Sequence, residues 1–324
     1  MNPGRACPLH YRYSPAVFGR DADLEAETLY IVGGLYGNRA ALATILQMAS
    51  REPVAPTLVF NGDFNWFDTA DADFRAINEE VLQHIALRGN VETELAAPDG
   101  NDSDDAGCGC AYPDEVGDAE VERSNQIMRR LRATGARHPE LRAQLTALPM
   151  HAVASVGGVR IGIVHGDAES LAGWRFAHNA LDEETNRQWL VDICRHARLA
   201  GFASSHTCLP TLRRQHSGAG RSFIANNGAA GMPNFAYTGY GLITRISRHA
   251  AAEGLAQYGI AEAGLFIDAL PVHYDARAFR ENFIANWPPG SPAHQSYFAR
   301  ICNGPAFASP QALGLVKSSA FACV

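Results

Sequence analysis

Residues 30–46, YIVGGLYGNRAALATIL, run from a compact apolar stretch through a glycine-rich turn into an apolar helical pattern. A strand that ends in glycines and feeds a helix is the building unit of α/β layers, and its turn is where such folds display catalytic groups. This turn offers glycines and a tyrosine, but no acid and no histidine. Working outward, residues 28–34 (TLYIVGG), 57–63 (TLVFNGD), 84–89 (HIALRG), 159–165 (VRIGIVH) and 200–205 (AGFASS) read as short buried strands. Helical patterns at 38–50, 72–82 and 182–198 lie between them, and the alternation predicts stacked α/β layers.

The 324 residues, 47% of them hydrophobic, suffice for one large domain or two modest ones with a sizeable core. The formal charge is -7, and basic residues are scattered through helical patterns such as 129–142, so nucleic acid is not an expected partner. Lys317 is the only lysine and lies outside any glycine-rich loop, which argues against P-loop and Schiff-base chemistry. No run of eighteen apolar residues exists to span a bilayer, and the opening MNPGRACPLHYRYSP lacks the apolar stretch of a secretory signal. The expectation is a cytoplasmic protein with no membrane partner. Seven cysteines, an odd number, then point to free thiols or metal ligands rather than a disulfide framework. Oligomeric state is not legible at this level.

Two stretches break the pattern. Residues 97–118 are acidic and turn-rich, and they lead into an Arg-rich helical pattern over about 119–147, broken near Pro139. Residues 97–150 therefore read as an insertion or cap on an α/β core. After residue 220 come the strand patterns SFIANN, YGLITRIS and GLFIDALPVHYD, then helical patterns at 275–286 and 292–302, and a last twenty residues with little pattern. The expected organisation is an N-terminal arm (1–27), a main domain (28–270) carrying the insertion, and a helical extension (271–324) packed on it.

In open α/β sheets, chemistry gathers beyond the carboxyl ends of the strands. Those ends deliver Asp63 (NGDFN), Asn90 (RGNVE), His165 (VHGD) and His206 (SSHTC). Singly, each has a plainer reading: an Asp after Gly as a turn or cap, an Asn likewise, a His as a satisfied structural residue. Together, two imidazoles, a carboxylate and an amide oxygen suit one borderline divalent ion such as Mn, Fe, Co or Zn.

The order G-D, G-N-x-E, H-G-D and H-T resembles the calcineurin-like metallophosphoesterases, whose full pattern is G-D-x-H-G-N, G-D-x-x-D, G-N-H-E/D, a later His, and G-H-x-H. Gly33-Gly34-Leu35-Tyr36-Gly37-Asn38 falls where the first motif belongs. Residues 226–233 (NNGAAGMP) resemble the N-P-G-S-x-G-x-P loop of small bacterial members, and Val272-His273-Tyr274-Asp275 resembles a strand end near their C-terminus. The likeness spans about residues 28–302. It implies an α/β fold with a layered β-sandwich core flanked by helices (αββα, metallo-dependent phosphatase-like) and an inserted helical cap segment. It also implies two metal positions sharing Asp63. The first retains only that bridge and, as a candidate thiolate, Cys208, because Gly34 and Tyr36 stand at lost ligand positions. The second, made of Asp63, Asn90, His165 and His206, is whole. Val91 stands where many members carry a leaving-group histidine, and Trp66 replaces the second Asp of G-D-x-x-D.

The resulting expectation is a phosphoesterase acting on a small phosphorylated molecule through a water activated by one divalent transition metal, with Asp63, Asn90, His165 and His206 as the catalytic set. Asn38, Arg39, Arg88 and Arg175 are the candidates for binding phosphate, an arginine fork being able to stand in for a missing cation. Asp167 or Glu92 is expected to orient the histidines or the water. Cys108 and Cys110 become relevant if the insertion folds over the site. Tyr36 is expected to fill the vacated metal volume with its ring. The alternative is a catalytically inactive, phosphoesterase-like protein that binds a phosphorylated ligand or a protein partner. A third reading recruits Tyr36 and Cys208 into non-phosphate chemistry.

Overall fold

Side chains alternate faces along a strand, and in residues 28–32 that alternation divides the buried residues between two cores: Leu29 and Ile31 enter one, Tyr30 and Val32 the other. The computed structural model describes residues 2–97, 106–218 and 220–317; residues 98–105 of the acidic stretch and 318–324 of the tail lie outside them. Along the chain, β1 (Leu24–Ala26) and β2 (Thr28–Val32) precede α1 (Arg39–Arg51), β3 (Thr57–Asn61), α2 (Asp71–Val81), β4 (Ile85–Leu87) and α3 (Asn90–Ala96). Then come α4 (Asp118–Gly135), α5 (Pro139–Ala147), the hairpin β5 (His151–Val156) and β6 (Val159–Val164), α6 (Glu184–Ala197) and β7 (Gly201–Ser204). The rest comprises β8 (Thr211–Ser217), β9 (Gly220–Asn226), β10 (Gly241–Ser247), β11 (Tyr258–Glu262), β12 (Leu265–Val272), α7 (Ala276–Asn286), α8 (Pro292–Asn303) and α9 (Ser309–Ala312).

The strands form two six-stranded sheets, ordered β1-β5-β6-β7-β9-β8 and β11-β12-β10-β2-β3-β4. One core lies between them: Leu29, Ile31, Val59 and Leu87 of the second sheet meet Ala154, Ile161, Ile163, Ala203 and Phe223 of the first. The alternate residues face outward onto helices. Tyr30, Val32, Leu58 and Phe60 pack with Ile45 of α1, Phe74 and Ile77 of α2, Leu131 of α4 and Phe283 of α7. On the other side Val153, Val164, Phe202 and Ile224 pack with Leu190 and Cys194 of α6 and with Phe18. The result is the αββα order of layers. Among the described residues no helix is long and apolar enough to cross a membrane.

The strands β2, β3 and β4 are parallel neighbours, as are β6, β7 and β9, so their carboxyl ends collect at shared edges. Four strands had too little apolar alternation to be read beforehand: β1, the alanine-rich β5, the polar β8 and β11. The Arg-rich pattern resolves into α4 and α5, with Pro139 at the first position of α5, where its missing N–H costs nothing.

The loops after β3, β4 and β6 approach closely at Gly62, which has φ +100; a Cβ there would stand 2.6 Å from both the Gly89 backbone and His165 Nδ1. Gly62→Ala is therefore expected to lower stability by about 2–3 kcal/mol through backbone strain and the displaced loop. A urea-unfolding midpoint close to wild type would show that this junction yields more readily.

Candidate metal centre

Asp63 follows β3 in a left-handed conformation (φ 53), Asn90 opens α3 just after β4, His165 directly follows β6, and His206 lies two residues beyond β7. None is more than 5% exposed. The loops that carry Asp63 and Asn90 are tied together by Glu92, fully buried, whose carboxylate accepts N–H bonds from Gly89 (2.9 Å), Asp63 (2.8 Å), Phe64 (3.0 Å) and Asn65 (3.2 Å). Burial, then the nearby Asp63 charge, raises the Glu92 carboxyl to about 7.

The protons can be assigned from the outer partners. His165 Nδ1 faces the Asn61 carbonyl at 3.0 Å, so it carries the proton and Nε2 keeps a lone pair. His206 Nε2 faces the Cys110 carbonyl at 3.2 Å, so its Nδ1 keeps a lone pair. Asn90 donates Nδ2–H to the Cys108 carbonyl (2.9 Å), which leaves Oδ1 facing inward. Asp63 Oδ1 accepts the Val91 N–H (3.2 Å), which leaves Oδ2. These four inward atoms converge: His165 Nε2 lies 3.1 Å from Asn90 Oδ1, 3.1 Å from His206 Nδ1 and 3.3 Å from Asp63 Oδ2.

A converging set of acceptors without a donor is unfavourable unless a cation sits among them. Atoms held about 2.0–2.2 Å from one ion stand roughly 2.8–3.6 Å apart at octahedral to tetrahedral angles, which brackets the observed spacings. Among the described residues, Asp63, His165 and His206 form the one group of three or more His, Cys, Asp or Glu side chains close enough to share an ion, and Asn90 adds the fourth atom. The residues present fit one divalent ion. Burial and then His165 push His206 down to about 3, which keeps it neutral. Burial also pulls His165 down, but the Asp63 charge and hydrogen bond and the Glu92 charge outweigh it, and its pKa rises.

Next to these four residues the space is filled by a ring. Gly34 (φ +63) has no side chain, and a Cβ there would stand 2.9 Å from the Tyr36 ring, so the glycine makes room for it. Tyr36 is 5% exposed and its hydroxyl lies 3.4 Å from Cys208 Sγ. A cavity of about 20 Å³ remains beside Asp63, Asn90 and His206, room for roughly one ion or water. Its walls include the aromatics Tyr36, Trp66, Tyr112, Trp174 and Tyr297, with Val91, Cys110 and Cys208, and no lysine or arginine.

The other expected site residues lie elsewhere. Asn38 caps α1 through the Ala41 N–H and donates to the Gly231 carbonyl, pinning the 226–233 loop. Arg39 pairs with Asp73 at 2.9 Å, and Arg175 lies over the Trp189 ring and bonds Asn186. Arg88 is half-buried with a buried, unpartnered Nε. None of these four lines the cavity. Neither Asp167 nor Glu92 bonds a histidine: Asp167 accepts the N–H groups of Glu169, Ser170 and Arg175 in its own loop. The histidines are oriented by the Asn61 and Cys110 carbonyls, and Trp174 Nε1 donates to the same Cys110 carbonyl (3.1 Å). Backbone carbonyls leave no signature in residue identity, and nothing in the sequence marks Tyr112, Trp174 or Tyr297 as wall residues.

No protein-family model matches the chain, and no curated protein matches it by sequence. Solved structures do. A metallophosphoesterase from Sphaerobacter thermophilus aligns at 16% identity over 86% of this chain and 99% of its own, with a TM-score of 0.52. A hypothetical protein from Pyrococcus horikoshii OT3 aligns at 16% identity over 87% of this chain and 100% of its own, with a TM-score of 0.54. The chain has the αββα fold of the calcineurin-like metallophosphoesterases and, among the described residues, one Asp/His/His group placed so that it could hold a metal ion.

Because a proton on His165 Nε2 occupies the lone pair an ion needs, metal affinity is expected to fall as pH drops through the raised pKa of that histidine. Chelator competition from about pH 8 to about pH 6 measures this. An affinity flat across that range would remove His165 from the ligand set.

Proposed function

We propose that this protein is a metal-dependent phosphoesterase in which Asp63 Oδ2, Asn90 Oδ1, His165 Nε2 and His206 Nδ1 hold one divalent transition ion, Mn, Fe, Co or Zn. The observation that carries the proposal is the convergence of four buried side-chain atoms, each oriented from behind so that it can turn a lone pair towards one point. When bound, such an ion polarises a phosphoryl oxygen and acidifies a water. The chain's own residues prepare for that chemistry. The Val91 N–H turns Asp63 so that Oδ2 points inward, and the Asn61, Cys108 and Cys110 carbonyls set the orientation of His165, Asn90 and His206. The aromatic walls lower the polarity around the site, which strengthens charge interactions inside.

Two features shape the substrate. The cavity of about 20 Å³ is lined by Tyr112, Trp174 and Tyr297, so a small phosphorylated molecule would reach the ion past these rings. With no lysine or arginine in the lining, the negative charge of the phosphoryl group is met by the ion alone. A second reading, a cleft that binds a phosphorylated ligand or a partner without turnover, is supported by Gly34 and Tyr36, which stand at positions where the family resemblance puts ligands of a second ion and which pack against each other instead.

Elemental analysis of purified protein is expected to give about one metal per chain, and Asp63→Asn and His206→Ala to lose it, with hydrolysis of aryl phosphate mono- or diesters falling about a hundredfold or more. Stoichiometric metal with no turnover of any ester would select the binding reading. Metal retained in both variants would sink the site itself.

A further inference from the structure

At the opposite end of β2 from the metal centre, a cavity of about 710 Å³ opens between the start of that strand, the C-terminal end of α1 and the 249–255 segment after β10. That volume lies within the roughly 300–1,000 Å³ of small-ligand sites. It shares no lining residue with the cavity at the metal centre. Met48, Pro53, Val54 and Leu255 make its walls apolar, but its floor is not. Tyr30, Arg245 and Asp268 stand side by side as strand partners on β2, β10 and β12, and Glu52 closes the row from the end of α1. Glu52 Oε1 accepts both the Tyr30 hydroxyl (2.8 Å) and Arg245 Nε–H (2.7 Å), while Arg245 Nη1 donates to the His249 carbonyl (2.8 Å) and to Asp268 (3.3 Å). Two atoms are left over. Among the described residues, Glu52 Oε2 and Arg245 Nη2 have no hydrogen-bond partner, and neither is sealed from solvent. The two side chains are only 8% and 4% exposed and both line the cavity, so the leftover atoms are reached from there.

From this arrangement we infer that the cavity is a second ligand site, for a neutral small molecule with an apolar body and a planar amide-type head that accepts from Arg245 Nη2 and donates to Glu52 Oε2. An amide, a lactam or a nucleobase edge carries both groups side by side. The charges argue for a neutral head. Arg245 and the exposed Arg51 are matched by Glu52 and Asp268, so the formal charges around the cavity cancel. A carboxylate head would meet Arg245 but face Glu52, and an ammonium would meet Glu52 but face Arg245; each leaves one buried polar atom opposed. Stability alone does not call for such a row, because well-packed apolar residues hold a sheet at least as firmly as a buried ion pair. A ligand that pairs both leftover atoms and covers Met48, Val54 and Leu255 supplies the missing hydrogen bonds and buries apolar surface at once. The site needs no ion, so it stands or falls separately from the metal reading.

Three probes that share a phenylpropyl body test the head group: phenylpropanamide, phenylpropanoate and phenylpropylamine, each titrated calorimetrically into the purified protein. The amide is expected to bind once per chain, and the two charged probes about tenfold more weakly or worse. In protein with isotope-labelled methionine methyl groups, the amide is expected to shift the nuclear magnetic resonance signal of Met48 and to leave that of Met232, in the 226–233 loop, in place. Leu255→Trp, which fills the cavity, is expected to weaken the amide about tenfold or more. Glu52→Gln keeps the volume and removes the charge, and is expected to narrow the lead of the amide over the carboxylate about tenfold, with circular dichroism confirming that both variants fold. No Met48 shift with any probe overturns the site. Amide affinity unchanged in a folded Leu255→Trp protein places the probe elsewhere and overturns it too. A carboxylate or amine that binds wild type as tightly as the amide overturns the neutral head.

Discussion

Four lone pairs facing one point, inside a protein, form the constraint around which this structure is organised. Each acceptor is locked from behind: Asp63 by the Val91 N–H, Asn90 by the Cys108 carbonyl, His165 by the Asn61 carbonyl and His206 by the Cys110 carbonyl. None can turn away without leaving a buried group unsatisfied, at a cost of about 1–3 kcal/mol each. A proton on His165 relieves part of the repulsion, and a divalent cation relieves all of it. On the proposed reading, a bound cation would therefore add to the stability of the folded chain as well as supply chemistry.

The locks come from both sheets. Asp63 and Asn90 extend from parallel strands of one sheet, His165 and His206 from parallel strands of the other, and Glu92 joins the first two loops by collecting their backbone N–H groups. The apolar layer between the sheets sets the separation at which these strand ends meet. A side chain as small as a methyl at Gly62 would intrude on that junction. The precision of the site is thus a property of the sandwich as a whole.

Beside the four acceptors, Gly34 and Tyr36 are fitted to each other by packing. The missing side chain of Gly34 and the ring of Tyr36 are two halves of one exchange, with Trp66 and Tyr297 continuing the aromatic wall at a ring separation of 6.5 Å. The volume here is filled by rings, which need only packing and a partner for their hydroxyls. The remaining acceptors accordingly sit in a drier environment, where their attraction for a cation is stronger.

Much of this was legible in the amino-acid order. Strands such as 57–61 and 159–164 are apolar runs closed by Gly, Asp or His, and the positions of Asp63, Asn90, His165 and His206 follow from where those runs end. Local propensity and burial pattern act over a few residues and are written in residue identity. What the order of residues could not supply is which backbone carbonyl stands behind each ligand, that the four proposed phosphate-binding residues lie away from the cavity, or that Cys108 and Cys110 come to rest on Asn90 and His206. Those contacts join residues 18 to 104 positions apart. They depend on how two sheets and the segment following β4 close on one another, and a carbonyl group, the same in every residue, leaves no mark in the sequence to announce its role.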